Sequence, residues 1–340
     1  MRSHTRHQHL HASDSNRPDR LAKVPWVAVA IYAAIAFALA WLVILPLWLT
    51  DATSAFSPVL AGVLPPVMMF TPLVATLIVV FGMKIPQQAR LRFLGIWPLR
   101  PVKRIVWFII AMIFVPIVFV VASLAVSLLF GWAQLDLVHF SNFQAMLGTP
   151  LDDSALRPVI LMQLALMPFA AIFNAIPAFG EEIGWRGWLL PALRPMGVWP
   201  ALLLSGLIWG LWHAPLILLG HNFNQPNIWG LIVMLIGCVL WGIFFGWLRL
   251  RSGSLWPAVI AHGALNASGG VVLLLTSADP TMNLALVNPL GVSGWIVLGI
   301  VTLLLLVSGQ FKHEPQLAPQ RAVAELRLSA PPEAQQDNRR

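Results

Sequence analysis

The sequence predicts an all-α, polytopic membrane helix bundle with about eight transmembrane helices. Three observations carry this. Of 340 residues, 58% are hydrophobic and only 10% charged, against about 25% charged in a soluble domain. Nearly uncharged apolar runs recur from Val24 to Val307, each long enough to cross a hydrocarbon core of about 30 Å as a helix. Strands that alternate polar and apolar residues are missing, which excludes a β-barrel.

The spans follow in order as Pro25–Leu49, Val59–Met83, Ile105–Phe130, Val159–Phe179, Trp199–Leu219, Ile228–Leu248, Leu255–Leu275 and Leu290–Val307. They divide the chain into residues 1–24, a basic tail; 25–157, the first three helices and their loops; 158–276, a core of four helices; 277–309, the last helix; and 310–340, a second tail. The first tail carries His4, His7, His9 and His11 and reads as solvated and disordered, not as a metal site. It is not a signal peptide, because the apolar run behind it is too long and no small-residue cleavage site closes it. The second tail, rich in Pro, Gln, Arg and Glu, also reads as disordered.

Lys and Arg set the orientation. The N-terminal tail, the loop 84–104, Arg186, Arg194, Arg249, Arg251 and the C-terminal tail hold every Lys and Arg except Arg157. The opposite loops hold Asp51, Asp136, Asp152, Asp153 and Asp279. This alternation fits eight spans with both termini cytoplasmic in the inner (cytoplasmic) membrane of a bacterium, a source that the Ala-, Leu-, Arg- and Trp-rich composition suggests. The net charge of +8 therefore marks topology and anionic headgroups, and no nucleic-acid partner is expected. Arg90–Arg100 mixes Arg with Phe, Leu and Trp, as an interfacial stretch does. Cys238 has no second cysteine to pair with, so neither a disulfide nor a cysteine metal site arises.

Ionisable groups inside spans cost roughly 2.5–3.5 kcal/mol each and mark functional sites. Few are present: Glu181, Glu182, Arg186, His213, His262 and, one turn after the last, Asn266. The first three spans hold nothing comparable. In the stretch GEEIGWRGWLLPAL, Glu182 and Arg186 stand four apart and pair on one helix face, while Glu181 turns about 100° away. Pro177 and Gly180 just before them either kink the helix or end it. In WGLWHAP, Trp209 lies one turn before His213; in AHGALNA, His262 lies one turn before Asn266. Carboxylate, two imidazoles and an amide converging from three helices form a hydrolase-like set, able to activate water and to stabilise an oxyanion. His139, His221, Asn222 and Asn224 read as outer-loop residues, and Trp185, Trp188, Trp212, Trp241 and Trp256 as interfacial anchors or packing.

Glu-Glu-x-x-x-Arg, aromatic-x-x-x-His and His-x-x-x-Asn on successive apolar segments, from about Pro158 to Leu275, resemble the CPBP family. This is the group of CAAX-processing endopeptidases and bacteriocin-processing or self-immunity proteins, also called the ABI family. The resemblance implies an intramembrane glutamate-type endopeptidase acting on a peptide or protein substrate in or at the membrane. Glu181 is then the general base and His213 helps to hold the attacking water. Glu182 and Arg186 position Glu181, and His262 and Asn266 supply the oxyanion hole. No cofactor is required in this reading. One departure is visible: the second motif usually begins with Phe, and Trp209 stands there.

Other readings stay open on the sequence. A zinc-dependent version would use Glu181, His213 and His262 as ligands, although no H-E-x-x-H helix is present. A non-catalytic immunity or scaffold protein would use the motifs structurally, and a proton-coupled transporter would use them as a relay. Substrate identity, prenyl dependence and oligomeric state are not written in the chain.

Overall fold

A computed structural model describes residues 21–51, 54, 57–147 and 152–311. The predicted tails therefore lie almost wholly outside the described residues, including His4, His7, His9 and His11. The helices in chain order are α1 (Trp26–Leu49), α2 (Ser57–Met68), α3 (Thr71–Leu77), α4 (Arg90–Phe93), α5 (Val102–Leu129), α6 (Ser141–Leu147), α7 (Asp153–Glu182), α8 (Leu190–Leu193), α9 (Val198–Trp212), α10 (Ala214–Ile217), α11 (Ile228–Ser252), α12 (Trp256–Ser268), α13 (Val271–Leu275), α14 (Leu284–Val287) and α15 (Val292–Val307). Among the described residues β-pairing is limited to one bridge, Leu135 with Thr276. An all-helical bundle is the expected outcome where hydrocarbon offers the backbone no partner, so each segment satisfies its own N–H and C=O groups.

Among the described residues seven helical stretches are long and apolar enough to cross a membrane, which makes the chain a multi-pass membrane protein. The fifth predicted span differs. It is a 15-residue helix, α9, that stops at Trp212 and resumes after His213 as the single turn α10. Pro215 lacks the N–H needed to continue the α9 ladder, so the chain turns there. The second predicted span is likewise split, into α2, α3 and a π-helical turn Ile78–Gly82.

Each helix turns one face inward. In α1 the buried positions Tyr32, Ala36, Ala40 and Ile44 recur every fourth residue, whereas Val27, Leu42 and Leu49 are exposed. A stripe of small residues brings backbones close and makes the van der Waals contacts that hold helices together in lipid. α7 and α12 pack in the same way. A Cβ on Gly263 would stand 2.7 Å from the backbone nitrogen of Ala175 and 2.9 Å from its Cα. Gly263→Ala should therefore destabilise the bundle by about 1–3 kcal/mol, because backbone atoms cannot move aside as a side chain can. A lowered thermal unfolding midpoint in detergent would register it; an unchanged midpoint would show that the two helices slide freely.

The loops gather on two faces. On one, the basic loop 84–101 is tied down by Leu255 N–H to Gly95 O (2.8 Å), Trp256 Nε1 to Ile96 O (3.2 Å), Arg249 Nη2 to Phe93 O (2.8 Å) and Trp188 Nε1 to Ile85 O (2.9 Å). Gly95 has φ +73°, and the Arg249 guanidinium fills the space where a Cβ would stand. On the other, Trp48 Nε1 donates to Pro215 O (3.0 Å), Asn142 Nδ2 to Thr276 Oγ1 (3.1 Å) and Asn288 Nδ2 to Asn222 O (3.1 Å). Asp136 organises part of this second face. Burial acts against its charge, but bonds from the Ser141 hydroxyl and from the Ser141, His139 and Val138 amides prevail and hold its carboxyl well below the usual range.

Candidate active site

The site forms where α7, α9 and α12 meet. The α7 helix passes Pro177 and Gly180 without ending, contrary to one sequence expectation, and runs to Glu182. A close approach to the junction of α2 and α3 explains the glycine, since a Cβ there would lie 2.8 Å from Met69 O. Immediately after the two glutamates the helix widens into a π-helix, Ile183–Leu189. Such turns recur at functional sites, and this one carries Trp185 and Arg186.

Glu182 is wholly buried and its Oε1 accepts from Arg186 Nη1 (2.7 Å) and from His262 Nδ1 (2.9 Å). The expected pairing at four-residue spacing is thus present, and the same carboxylate also orients the histidine of α12. Arg186 is 1% exposed. Its guanidinium lies 4.3 Å over the Trp209 ring and 5.2 Å from that of Phe245, contacts that hold a cation in a dry setting.

Glu181 is held differently. Its Oε2 accepts from two indoles, Trp209 Nε1 at 2.6 Å and Trp185 Nε1 at 3.2 Å. Its Oε1 takes no hydrogen bond from the described residues, and Glu181 lines a cavity of about 540 Å³. His213, His262, Trp209 and Asn266 line the same cavity. His213 Nδ1 sits 2.9 Å from Trp209 O, so it donates there and leaves Nε2 free. His262, with Nδ1 on Glu182, also keeps Nε2 free; its ring stacks on Phe245 at 5.4 Å and meets Trp209 edge-on at 5.5 Å. Both tautomers follow from the partner of Nδ1. Asn266 is exposed on the cavity rim, together with Pro66 and Gly270.

The structure therefore brings Glu181, His213, His262 and Asn266 around one cavity and places Glu182, Arg186 and Trp209 behind or beside them. Sequence reasoning missed several parts. Trp185, read as an anchor or packing residue, donates to Glu181. Of the two roles read for Trp188, Trp212 and Trp241, packing is the one they take, and what the sequence did not give is the partner of each indole N–H: Ile85 O, Thr71 Oγ1 and Pro289 O respectively. Tyr32, from a span read as empty of polar function, stacks on Trp188 at 4.9 Å and meets Trp185 edge-on at 5.7 Å. His221, Asn222 and Asn224, read as plain loop residues, line the cavity mouth, whereas His139 bonds Asp153 away from it. Trp185, one turn after Glu181, could have been found from that spacing, whereas Trp209, 28 residues on, could not.

Among the described residues no three His, Cys, Asp or Glu side chains converge as a metal site, and Glu181 Oε2 already accepts from two indoles.

Known proteins point the same way as the geometry. Residues 160–268 match the family model described as type II CAAX prenyl endopeptidase, Rce1-like. A curated protein of Methanococcus maripaludis named CAAX prenyl protease 2 is 33% identical over 93 residues, 25% of this chain. The chain spans about a third, 34%, of that relative's length. The matched residues 160–268 carry the two glutamates, Arg186, the aromatic–histidine pair and the His262–Asn266 pair, so over that segment the chain is similar to type II CAAX prenyl endopeptidases.

Proposed function

We propose that this protein is an intramembrane endopeptidase of the CAAX-processing type, which hydrolyses a peptide bond of a membrane-associated substrate with water activated by Glu181. One observation carries the reading: two adjacent buried carboxylates are committed to different tasks. Glu182 is tied to Arg186 and His262, while Glu181 keeps an oxygen without a protein donor in a cavity it shares with both histidines. Glu181 takes a proton from water, with His213 Nε2 as a second acceptor, and the oxygen adds to the scissile carbonyl carbon. The carbonyl electrons move to its oxygen, where the Asn266 amide and, in the imidazolium form, His262 Nε2–H donate. The proton on Glu181 then passes to the amide nitrogen as the C–N bond breaks, giving a carboxylic acid and an amine.

The basic loops put their face in the cytoplasm, with both termini on that side of a cytoplasmic membrane. The test is a comparison of membrane-protein N-termini in cells that express the protein or its Glu181→Gln variant at matched levels. New termini present only with the unaltered protein support peptidase action; indistinguishable profiles would favour a binding or immunity role. No metal is assigned to the reaction. Turnover by purified protein should survive EDTA and phenanthroline, and loss restored by added zinc would overturn that assignment.

A further inference from the structure

We infer that the hollow beside α4 is a binding site for the phosphate-bearing headgroup of an anionic phospholipid. Its volume is about 620 Å³, and Gln87, Gln88, Arg90, Leu91, Arg92 and Trp97 line it. Ligand sites are common at that size. It shares no lining residue with the cavity of Glu181. Two guanidiniums and two amides offer donors suited to phosphate oxygens, and none of the lining residues is acidic.

Charge and place select the ligand. From Lys84 to Arg104 the chain carries Lys84, Arg90, Arg92, Arg100, Lys103 and Arg104, with no Asp or Glu among them. This loop joins the end of one candidate span, Ser57–Gly82, to the start of the next, Val102–Leu129. Whichever side of the membrane it occupies, it therefore lies at the level of the headgroups, where basic segments attract anionic lipid. Leu91, Trp97 and Val102 are 54%, 60% and 59% exposed, an apolar fringe against which the upper acyl chains can rest. A soluble phosphate would meet the guanidiniums and leave this fringe in water.

The donors are held in place before any ligand arrives. The single turn α4 buries Phe93 and turns Leu91 outward. The Arg90 guanidinium lies 5.2 Å over the Phe81 ring, and its Nε donates to Pro86 O (3.4 Å). Among the described residues Arg92 makes no side-chain hydrogen bond or ion pair, so its guanidinium is available. The backbone behind the hollow is clamped to the bundle at Ile85, Phe93, Gly95 and Ile96, which lowers the ordering cost of binding. One of these clamps, Arg249, also donates to Arg186 O (3.2 Å), so α4 is joined to the π-turn behind Glu182.

The test uses purified full-length protein in detergent, with bound ligand counted by native mass spectrometry. It is titrated with dioctanoyl phosphatidylglycerol, with phosphatidylcholine of the same chains and with inorganic phosphate. Phosphatidylglycerol should bind saturably and outcompete phosphatidylcholine. Arg90→Gln and Arg92→Gln should each weaken it by about ten-fold, the worth of one charged hydrogen bond. Lys103→Gln removes a charge of the same loop outside the hollow and should weaken it by at most about three-fold, because exposed charges are screened. Added phosphatidylglycerol should also raise the thermal unfolding midpoint of the unaltered protein more than that of Arg92→Gln. Absence of saturable binding overturns the inference. Equal binding of the two lipids would reduce the site to apolar packing, and an equal loss in Lys103→Gln would reduce it to diffuse charge; either result overturns it as well. So does displacement of the lipid by an equal concentration of inorganic phosphate, which would assign the hollow to a soluble anion.

Discussion

Glu181→Gln should lower peptide-bond cleavage by roughly 10²–10⁴-fold, the usual contribution of a general base, while leaving the bundle intact. The physical reason lies in the two oxygens of this side chain. Gln retains a carbonyl oxygen to accept from Trp209 Nε1 and Trp185 Nε1, and it is nearly isosteric with Glu. It cannot take a proton from water. An initial-rate measurement on purified variant, with a thermal unfolding scan alongside, separates the two effects. Cleavage within ten-fold of the unaltered enzyme would remove Glu181 from the role of base. A collapse of the unfolding midpoint would show instead that the carboxylate is needed for folding.

Arg186→Met should have the largest effect on stability. Removing one partner of a buried ion pair strands the other charge and costs about 3–5 kcal/mol. Glu182, fully buried, would keep only His262 as a donor, and the cation stacked over Trp209 would be lost. Folded yield and unfolding midpoint should fall together with activity. The double variant Glu182→Gln/Arg186→Met tests the cause. It removes the stranded charge but leaves His262 an oxygen to donate to, so much of the stability should return while activity stays low. If the double variant is as unstable as the single one, the loss came from Arg186 packing and not from an unpaired carboxylate.

Trp209 shows how one departure from a motif acquires meaning in three dimensions. In sequence it is a larger aromatic wall where Phe is usual. In the fold its indole edge donates to Glu181 at 2.6 Å while its face receives the Arg186 guanidinium at 4.3 Å. A Phe in its place would keep the cation contact and lose the donor.

The sequence by itself determined the bundle and the short set of polar groups within it. Runs of about 20 uncharged residues have few structural options in lipid, and an ion inside such a run is costly enough to stand out. The pairing of Glu182 with Arg186 was also legible, because four-residue spacing on a helix fixes it. Only the tertiary structure decided the rest. That α7 runs on past Pro177 and Gly180 into a π-turn depends on packing against the α2–α3 junction at Met69 and Phe70, which no local pattern reports. That Glu182 also holds His262, 80 residues away, is a contact between helices. The indole donors and the polar residues of the cavity mouth likewise belong to the cross-section of the bundle, where side chains from distant spans meet. Helical periodicity states which face a residue occupies, whereas the neighbour opposite that face is set by how the helices assemble.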